Sequence, residues 1–201
     1  QVSRPLPYAL RFVSFLTYPE CRASAVYINP ESSVSVHQAV QFDEENGDTL
    51  WQDAEKKEVD QMFEYNVFDD RGHRSTARAP PGYKKIKLHI VYACKHDGRR
   101  KARIVAGGHL TDTPLESVYS GVVSLRGVRL IVFLSELNDL EVYQTDIGNA
   151  FLEAKTTEKV FVIAGGEFGE LKDHIFIIVG SLYGLKTSAK RFHEVLSDVL
   201  R

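Results

Sequence analysis

The clearest pattern of apolar and polar positions lies in residues 85–94, where every second residue is apolar. This period of two is typical of a half-buried β-strand. His96-Asp97-Gly98 is a turn signal, and residues 101–106 predict a second strand, so the pattern indicates a β-hairpin. The apolar positions of the first strand are Ile86, Leu88, Ile90, Tyr92 and Cys94.

Helical spacing of apolar residues appears in three places. A helix is predicted from Thr49, which can cap it, and residues 125–137 predict a largely buried helix ending at Asn138-Asp139. Residues 188–201 predict an amphipathic helix. The first helix uses an apolar stripe of Trp51, Ala54, Val59, Met62 and Phe63, and the last uses Phe192, Val195, Leu196, Val199 and Leu200.

Further strands are predicted at 140–147, 159–164 and 174–179. Residues 69–83 are predicted to form a polar loop. Residues 1–45 have weak periodicity and several prolines, which favours a linker or a loosely structured spacer. The order of elements predicts an α+β fold with a mainly antiparallel sheet and packed helices.

Composition narrows the function classes. A net charge of −2 over 201 residues argues against a uniformly basic nucleic-acid binder, although a local patch can still bind phosphate. Cys21 and Cys94 lack metal-ligand spacing and fit a reducing intracellular compartment. The apolar stretch 8–18 is too short to span a bilayer. Gln1 at the start, and an apparent helix at the end, suggest a piece of a longer protein.

The hairpin is unusually basic. Lys101 and Arg103 share one face of the second strand and could bind a triphosphate together. The alternative is a solvated hairpin edge, where lysine discourages aggregation. The basic residues are Lys84, Lys85, Lys87, Lys95, Arg99, Arg100, Lys101 and Arg103.

Two further segments could carry chemistry. Asp146 interrupts the apolar pattern of Leu140, Val142 and Ile147, and a buried carboxylate would need a partner such as a metal ion. An exposed aspartate at a strand end is the alternative. In the segment 181–186, Gly184 permits close approach to the backbone, Tyr183 offers a stacking face and Lys186 a cation. An ordinary strand-to-helix turn is the alternative there. The histidine spacing does not suit zinc, and no nucleophile-elbow or phosphate-loop motif is present.

Five segments, in this order, resemble the reverse transcriptase of copia-type LTR retrotransposons. The resemblance runs from about residue 50 to residue 201. The segments are Lys101-Ala-Arg-Ile-Val-Ala-Gly-Gly108, Tyr119-Ser-Gly-Val-Val123, Val128-Arg129-Leu130, Gln144-Thr-Asp-Ile-Gly-Asn-Ala-Phe-Leu152 and Ser181-Leu-Tyr-Gly-Leu-Lys186.

The resemblance implies an incomplete right-hand polymerase in residues 46–201, with fingers from the hairpin followed by the front of the palm. It also implies the site residues. Asp146 would be the first catalytic aspartate and would bind both Mg²⁺ (or Mn²⁺) ions, with the Ile147 carbonyl as a further ligand. Phe151 would be the steric gate against a ribose 2′-hydroxyl. Lys101 and Arg103 would lie near the triphosphate of the dNTP, and Tyr183, Gly184 and Lys186 beside the nascent base pair and template.

The implied partners are an RNA/DNA primer-template, the rest of the palm, the thumb, a ribonuclease H and the integrase of the parent polyprotein. No membrane partner is implied. Residues 1–45 would be the spacer after integrase. The implied location is intracellular: cytoplasmic, in a virus-like particle, or nuclear.

The sequence also departs from the family pattern. It contains no Tyr-x-Asp-Asp, and its one adjacent aspartate pair, Asp69-Asp70, precedes the fingers. Since one aspartate cannot hold two metal ions, the chain is predicted to be inactive alone. Thr187 stands where glutamine is usual, Gly121 where proline is usual, Ala189-Lys190 where Pro-Arg is usual, and Phe192 where tryptophan is usual.

Two alternatives to a polymerase fragment remain. One is a degenerate or domesticated element product that binds nucleic acid without polymerising. The other is an unrelated α+β domain whose basic hairpin binds an acidic protein partner.

Overall fold

The computed structural model describes residues 22–23, 26–27, 35–95, 97–114 and 117–201. These residues fall into two compact units: one holds the described residues up to 54 together with 92–102, and the other holds 55–91 and 103–201. The elements in chain order are β1 (Arg22–Ala23), β2 (Val26–Tyr27), α1 (Val36–Asn46), α2 (Leu50–Glu64), β3 (Phe68–His73), β4 (Lys84–Lys85), β5 (Leu88–Cys94), β6 (Arg100–Ala106), α3 (Leu125–Leu137), β7 (Val160–Ile163), β8 (His174–Ile178) and α4 (Ser188–Val199).

Helix α1 lies in a segment for which the sequence predicted loose structure, so that prediction is wrong for residues 36–45. The helix begins at a capping box, in which the Ser35 side chain accepts from the Gln38 N–H and the Gln38 side chain accepts from the Ser35 N–H. It ends at Gly47, whose φ of 67° is the left-handed conformation that glycine adopts readily. Most of its other side chains are exposed, so an apolar period was too weak to reveal it.

The cap of α2 comes from α1. Buried Asp43 accepts the N–H groups of Trp51 (3.1 Å) and Gln52 (3.0 Å), which have no acceptor within the first turn. Thr49 was predicted to cap this helix, but its hydroxyl instead donates to Asp53 at 3.0 Å. Trp51 is then buried edge-to-face against Tyr92, with 5.7 Å between ring centroids.

The larger unit contains a four-stranded sheet in the order β3-β8-β7-β4. β8 pairs antiparallel with β3 and β7, whereas β4 pairs parallel with β7. β5 and β6 form the predicted hairpin, and β7 and β8 confirm two further predicted strands. The predicted polar loop 69–83 is wrong at its start, because residues 69–73 belong to β3. Cross-strand pairing with apolar β8 orders a segment whose own residues are mostly polar.

The core of the larger unit lies between α2 and the sheet. Phe68 and Phe176 stack with 5.2 Å between ring centroids, and Phe168 meets both rings edge-on. Burial of one such side chain contributes about 1.5–3 kcal/mol. The most completely buried residues of this core are Met62, Val67, Ile86, Ile104, Val160, Val162, Phe176, Ile178 and Leu182.

Helix α3 has the predicted bounds, and the Ser124 hydroxyl accepts from the Gly127 N–H at 3.1 Å. The predicted burial of α3 is wrong. Leu130 is 56% exposed and Phe133 61% exposed, and only Ser135 is buried. A continuous apolar surface signals that a helix can be buried, but burial needs a facing surface, which the described residues do not supply.

Two smaller observations complete the fold. Cys94 is disulfide-bonded, and Cys21 lies outside the described residues. No helix in the described part of the chain is long and apolar enough to cross a membrane.

Candidate functional site

The turn after β8 is joined to β6 through the backbone. The Ala106 N–H donates to the Tyr183 carbonyl at 2.7 Å, and Val105 and Tyr183 form a parallel bridge. Gly184 has a φ of +90°, and a Cβ there would lie 2.1 Å from the Ala106 carbonyl oxygen. A Cβ at Gly108 would lie 2.1 Å from the Gly184 carbonyl oxygen. Both positions therefore require glycine, because two backbones touch.

This junction brings three of the predicted site residues together. The Arg103 guanidinium lies 5.3 Å from the centroid of the Tyr183 ring, and the Phe151 ring lies 5.0 Å from it at an angle of 50°. Phe192 of α4 approaches Phe151 at 6.4 Å. We call Arg103, Phe151, Tyr183 and Phe192 the Tyr183 cluster. Arg103 is exposed and the two central rings are half-buried, so this cationic and aromatic surface is open to solvent.

Phe151 reaches the cluster through a local turn. Gly148 and Asn149 form the turn, and Asn149 has a φ of +51°, which asparagine tolerates better than most residues. The short 3-10 helix Ala150–Glu153 follows, with Leu152 buried beneath it. Burial of Leu152 fixes the turn, and the neighbouring Phe151 then faces Tyr183.

Asp146 and Ile147 lie in a different setting from the predicted one. Residues 140–147 form no strand; Asp146 is exposed and Ile147 is 41% exposed. The argument that a buried carboxylate needs a partner therefore does not apply to Asp146. No group of three or more His, Cys, Asp or Glu side chains in the described ranges is placed to hold a metal ion. The described residues thus do not form a metal site, and the metal-binding roles of Asp146 and Ile147 remain predictions.

The basic hairpin is partly neutralised by local contacts. Arg99 pairs with Asp97 at 2.6 Å, and its side-chain and backbone hydrogen bonds lower the pKa of Asp97 to about 2. Lys84 pairs with Asp112 at 3.0 Å, and the Arg100 guanidinium lies 5.1 Å from the centroid of the Trp51 ring. Along β6, Lys101 is half-buried and Arg103 exposed, alternating with buried Ala102 and Ile104.

The Lys186 side chain makes its hydrogen bonds within the protein. Its Nζ donates to the carbonyl oxygens of Thr111 (2.6 Å) and Asp112 (3.4 Å). It therefore ties the turn to the loop after β6. A direct contact of this ammonium group with template remains a prediction.

Sequence reasoning did not identify Glu158 as a site residue. One of its carboxylate oxygens, Oε1, accepts both the N–H (3.0 Å) and the hydroxyl (2.9 Å) of fully buried Thr187. The threonine at position 187, where the family pattern has glutamine, was the one sequence feature that pointed to an unusual contact at this turn. Glu158 and Thr187 also line a cleft of about 460 Å³, with Lys84, Thr111, Asp112 and Lys159 among its other lining residues.

The fold and this site define an α+β domain that carries an exposed arginine and aromatic surface beside a glycine-built turn. The profile of the family described as reverse transcriptase (RNA-dependent DNA polymerase) matches residues 75–201. The chain belongs to this family, in its copia-type retrotransposon branch.

Three curated relatives support the same assignment. They are the Gag-Pol polyproteins of the transposons Ty1-DR5, Ty1-DR1 and Ty1-ML1 of Saccharomyces cerevisiae, each 28% identical over 150 residues. The alignments cover 74% of this chain, and the chain spans about 8% of the length of these relatives. No solved structure gives a significant match.

Proposed function

We propose that this chain supplies the nucleotide-binding surface of an RNA-directed DNA polymerase, with fingers from the hairpin and the front of the palm from the segments around Asp146 and Tyr183. The observation that carries the proposal is the Tyr183 cluster, which joins an arginine to two aromatic rings from distant parts of the chain. Aromatic rings stack on bases of any sequence, and a guanidinium can bind a phosphate by two parallel hydrogen bonds.

The proposed roles follow from this surface. Arg103, with Lys101 from the same strand, binds the triphosphate of the dNTP. Tyr183 and Gly184 lie beside the nascent base pair, with Lys186 fixing the turn that carries them. Phe151, in contact with Tyr183, excludes a ribose 2′-hydroxyl.

Asp146 and the Ile147 carbonyl are proposed as ligands of Mg²⁺ or Mn²⁺. Two bound metal ions would stabilise the attacking and leaving oxygens of phosphoryl transfer. Asp146 supplies a single carboxylate, and two ions need more, so we propose that this chain alone does not polymerise. The proposal further includes the remaining palm, thumb, ribonuclease H and integrase of a parent polyprotein as partners, and a cytoplasmic particle or the nucleus as the location.

A second candidate is a non-catalytic nucleic-acid-binding protein derived from such an element. Asp146 is exposed, and the described residues contain no group of three His, Cys, Asp or Glu side chains placed to hold a metal ion, which favours this candidate. The two candidates share the Tyr183 cluster as the binding surface and differ in whether catalysis follows.

Binding to a fluorescent RNA/DNA primer-template tests the shared part of both candidates. We expect the 201-residue chain to bind with salt-sensitive affinity and to prefer primer-template over heparin, which offers charge without bases. Equal affinity for both polyanions would contradict the proposal and favour an acidic partner for the hairpin. Primer extension by a longer product that includes this chain then separates the polymerase from the non-catalytic protein.

A further inference from the structure

We propose that Glu158 is a positioning residue for the nucleotide surface: through Thr187 it holds the turn that carries Tyr183. This inference rests on the function proposed above and adds a residue to it. Glu158 is distant in sequence from the turn and lies just before β7. Its role would be to fix the place of the Tyr183 ring before a nucleotide arrives.

The contact between Glu158 and Thr187 is specific. Both donors of Thr187, its N–H and its hydroxyl, bind the same carboxylate oxygen, at 3.0 and 2.9 Å, and Thr187 is fully buried. Hydrogen bonds to a charged acceptor are roughly twice as strong as those between neutral groups. The hydroxyl bond depends on the threonine side chain, whereas the N–H bond depends only on the position of the backbone.

The pairing completes a series of tethers along the turn. Upstream, the Tyr183 carbonyl accepts from Ala106 at 2.7 Å. Lys186 binds the Thr111 carbonyl at 2.6 Å, and the Ser188 hydroxyl donates to the Leu182 carbonyl at 2.6 Å. Thr187 lies among these tethered residues, so its release would remove one of the bonds that hold the segment presenting the ring.

The two oxygens of the Glu158 carboxylate have different settings. Oε1 accepts both hydrogen bonds from Thr187, whereas Oε2 makes no hydrogen bond to the described residues. We therefore assign the positioning role to Oε1.

The test measures binding of a mant-labelled deoxynucleoside triphosphate and of inorganic tripolyphosphate to the 201-residue chain with Mg²⁺. Glu158→Ala is expected to weaken nucleotide binding about fivefold or more, the lower range for loss of one base stack. Its affinity for tripolyphosphate should stay unchanged, because the triphosphate binds Arg103 rather than Tyr183. Glu158→Gln keeps an acceptor at Oε1 and should restore nucleotide binding, and the exposed Glu170→Ala is the matched control.

A second readout needs no nucleotide. Hydrogen exchange of the Ala106 amide, which donates to Tyr183, is expected to accelerate in Glu158→Ala and to remain slow in Glu158→Gln. If Glu158→Ala does not fold, Thr187→Val, which removes one of the two donors at similar volume, takes its place in both measurements.

The two proposals fail in different ways. A wild-type chain that binds the nucleotide no better than tripolyphosphate would overturn the proposed function and this inference together. A wild-type chain that binds the nucleotide, with variants of unchanged affinity and unchanged Ala106 exchange, would overturn the role of Glu158 alone. Equal loss of nucleotide and tripolyphosphate binding would show general destabilisation and would also overturn it.

Discussion

The Arg103 guanidinium lies 5.3 Å from the centroid of the Tyr183 ring, although the two residues come from the hairpin and from the turn after β8. The contact depends on the backbone junction between β6 and the turn, where Ala106 donates to Tyr183. An exposed cation–π contact of this kind is worth about 0.5–1 kcal/mol, less than a base stack. A nucleotide could therefore displace the arginine from the ring and still retain it at the phosphates.

Tyr183→Ala is expected to weaken deoxynucleotide binding about 5- to 150-fold, because base–aromatic stacking is worth about 1–3 kcal/mol. Tyr183→Phe keeps the ring and should bind within about twofold of wild type. Fluorescence titration with a mant-labelled nucleotide provides the measurement. Unchanged affinity in Tyr183→Ala would remove this ring from the site.

Phe151→Ala is expected to relax discrimination against ribonucleotides by roughly tenfold or more. Loss of the ring would leave room for the 2′-hydroxyl, and steric exclusion of a small group contributes about that much to selectivity. The comparison of kcat/KM for a ribonucleotide and its deoxynucleotide, in a longer polymerase that includes this chain, measures it. Phe151→Tyr preserves the ring and serves as the control. The same selectivity in Phe151→Ala would exclude the gate role.

Asp146→Ala in the same longer protein is expected to abolish incorporation while leaving primer-template affinity within about twofold, because an exposed carboxylate contributes little to folding. Asp146→Asn should behave like Asp146→Ala, since the charge is what a metal ligand must supply. Exposed Asp198→Ala is the control for loss of a carboxylate elsewhere. Normal turnover in Asp146→Ala would refute the metal-ligand assignment.

Gly184→Ala is expected to destabilise the chain by roughly 2–4 kcal/mol, from the left-handed backbone and from overlap of the new Cβ with the Ala106 carbonyl. Gly166→Ala is the matched control, because a Cβ there meets no atom within 4 Å. Urea unfolding of the two variants compares their free energies. Equal stabilities would show that β6 and the turn do not approach as closely as described.

The ion pair of Asp97 and Arg99 predicts a response at low pH. Because the folded-state pKa of Asp97 is lowered from 3.8 to about 2, its contribution to stability is present above pH 4 and is lost as the pH falls through 2. Between pH 5 and pH 2, the melting temperature of wild type should therefore fall further than that of Asp97→Asn. NMR titration of the Asp97 carboxyl gives the pKa directly, and a value near 4 would contradict the prediction.

Local patterns in the sequence were sufficient for the hairpin, β7, β8, α4 and the bounds of α3. In each case the period of apolar residues, or a turn signal, lies within the element itself. Patterns failed where a distant partner decides the structure. β3 is polar, yet it is ordered by pairing with β8, and α1 shows little apolar period because most of its side chains face solvent.

The sequence by itself also predicted the individual site residues, because the motifs around residues 101–108, 144–152 and 181–186 are continuous in the chain and resemble one family. The tertiary structure alone decided which of them meet. Arg103, Phe151 and Tyr183 converge because two glycines let β6 and the turn touch, whereas Lys186 is turned inward to the loop at Thr111.

The tertiary structure also decided the solvent exposure of α3 and of Asp146. Hydrophobicity records that a residue can be buried, but whether it is buried depends on the surface that faces it, which a one-dimensional pattern does not contain.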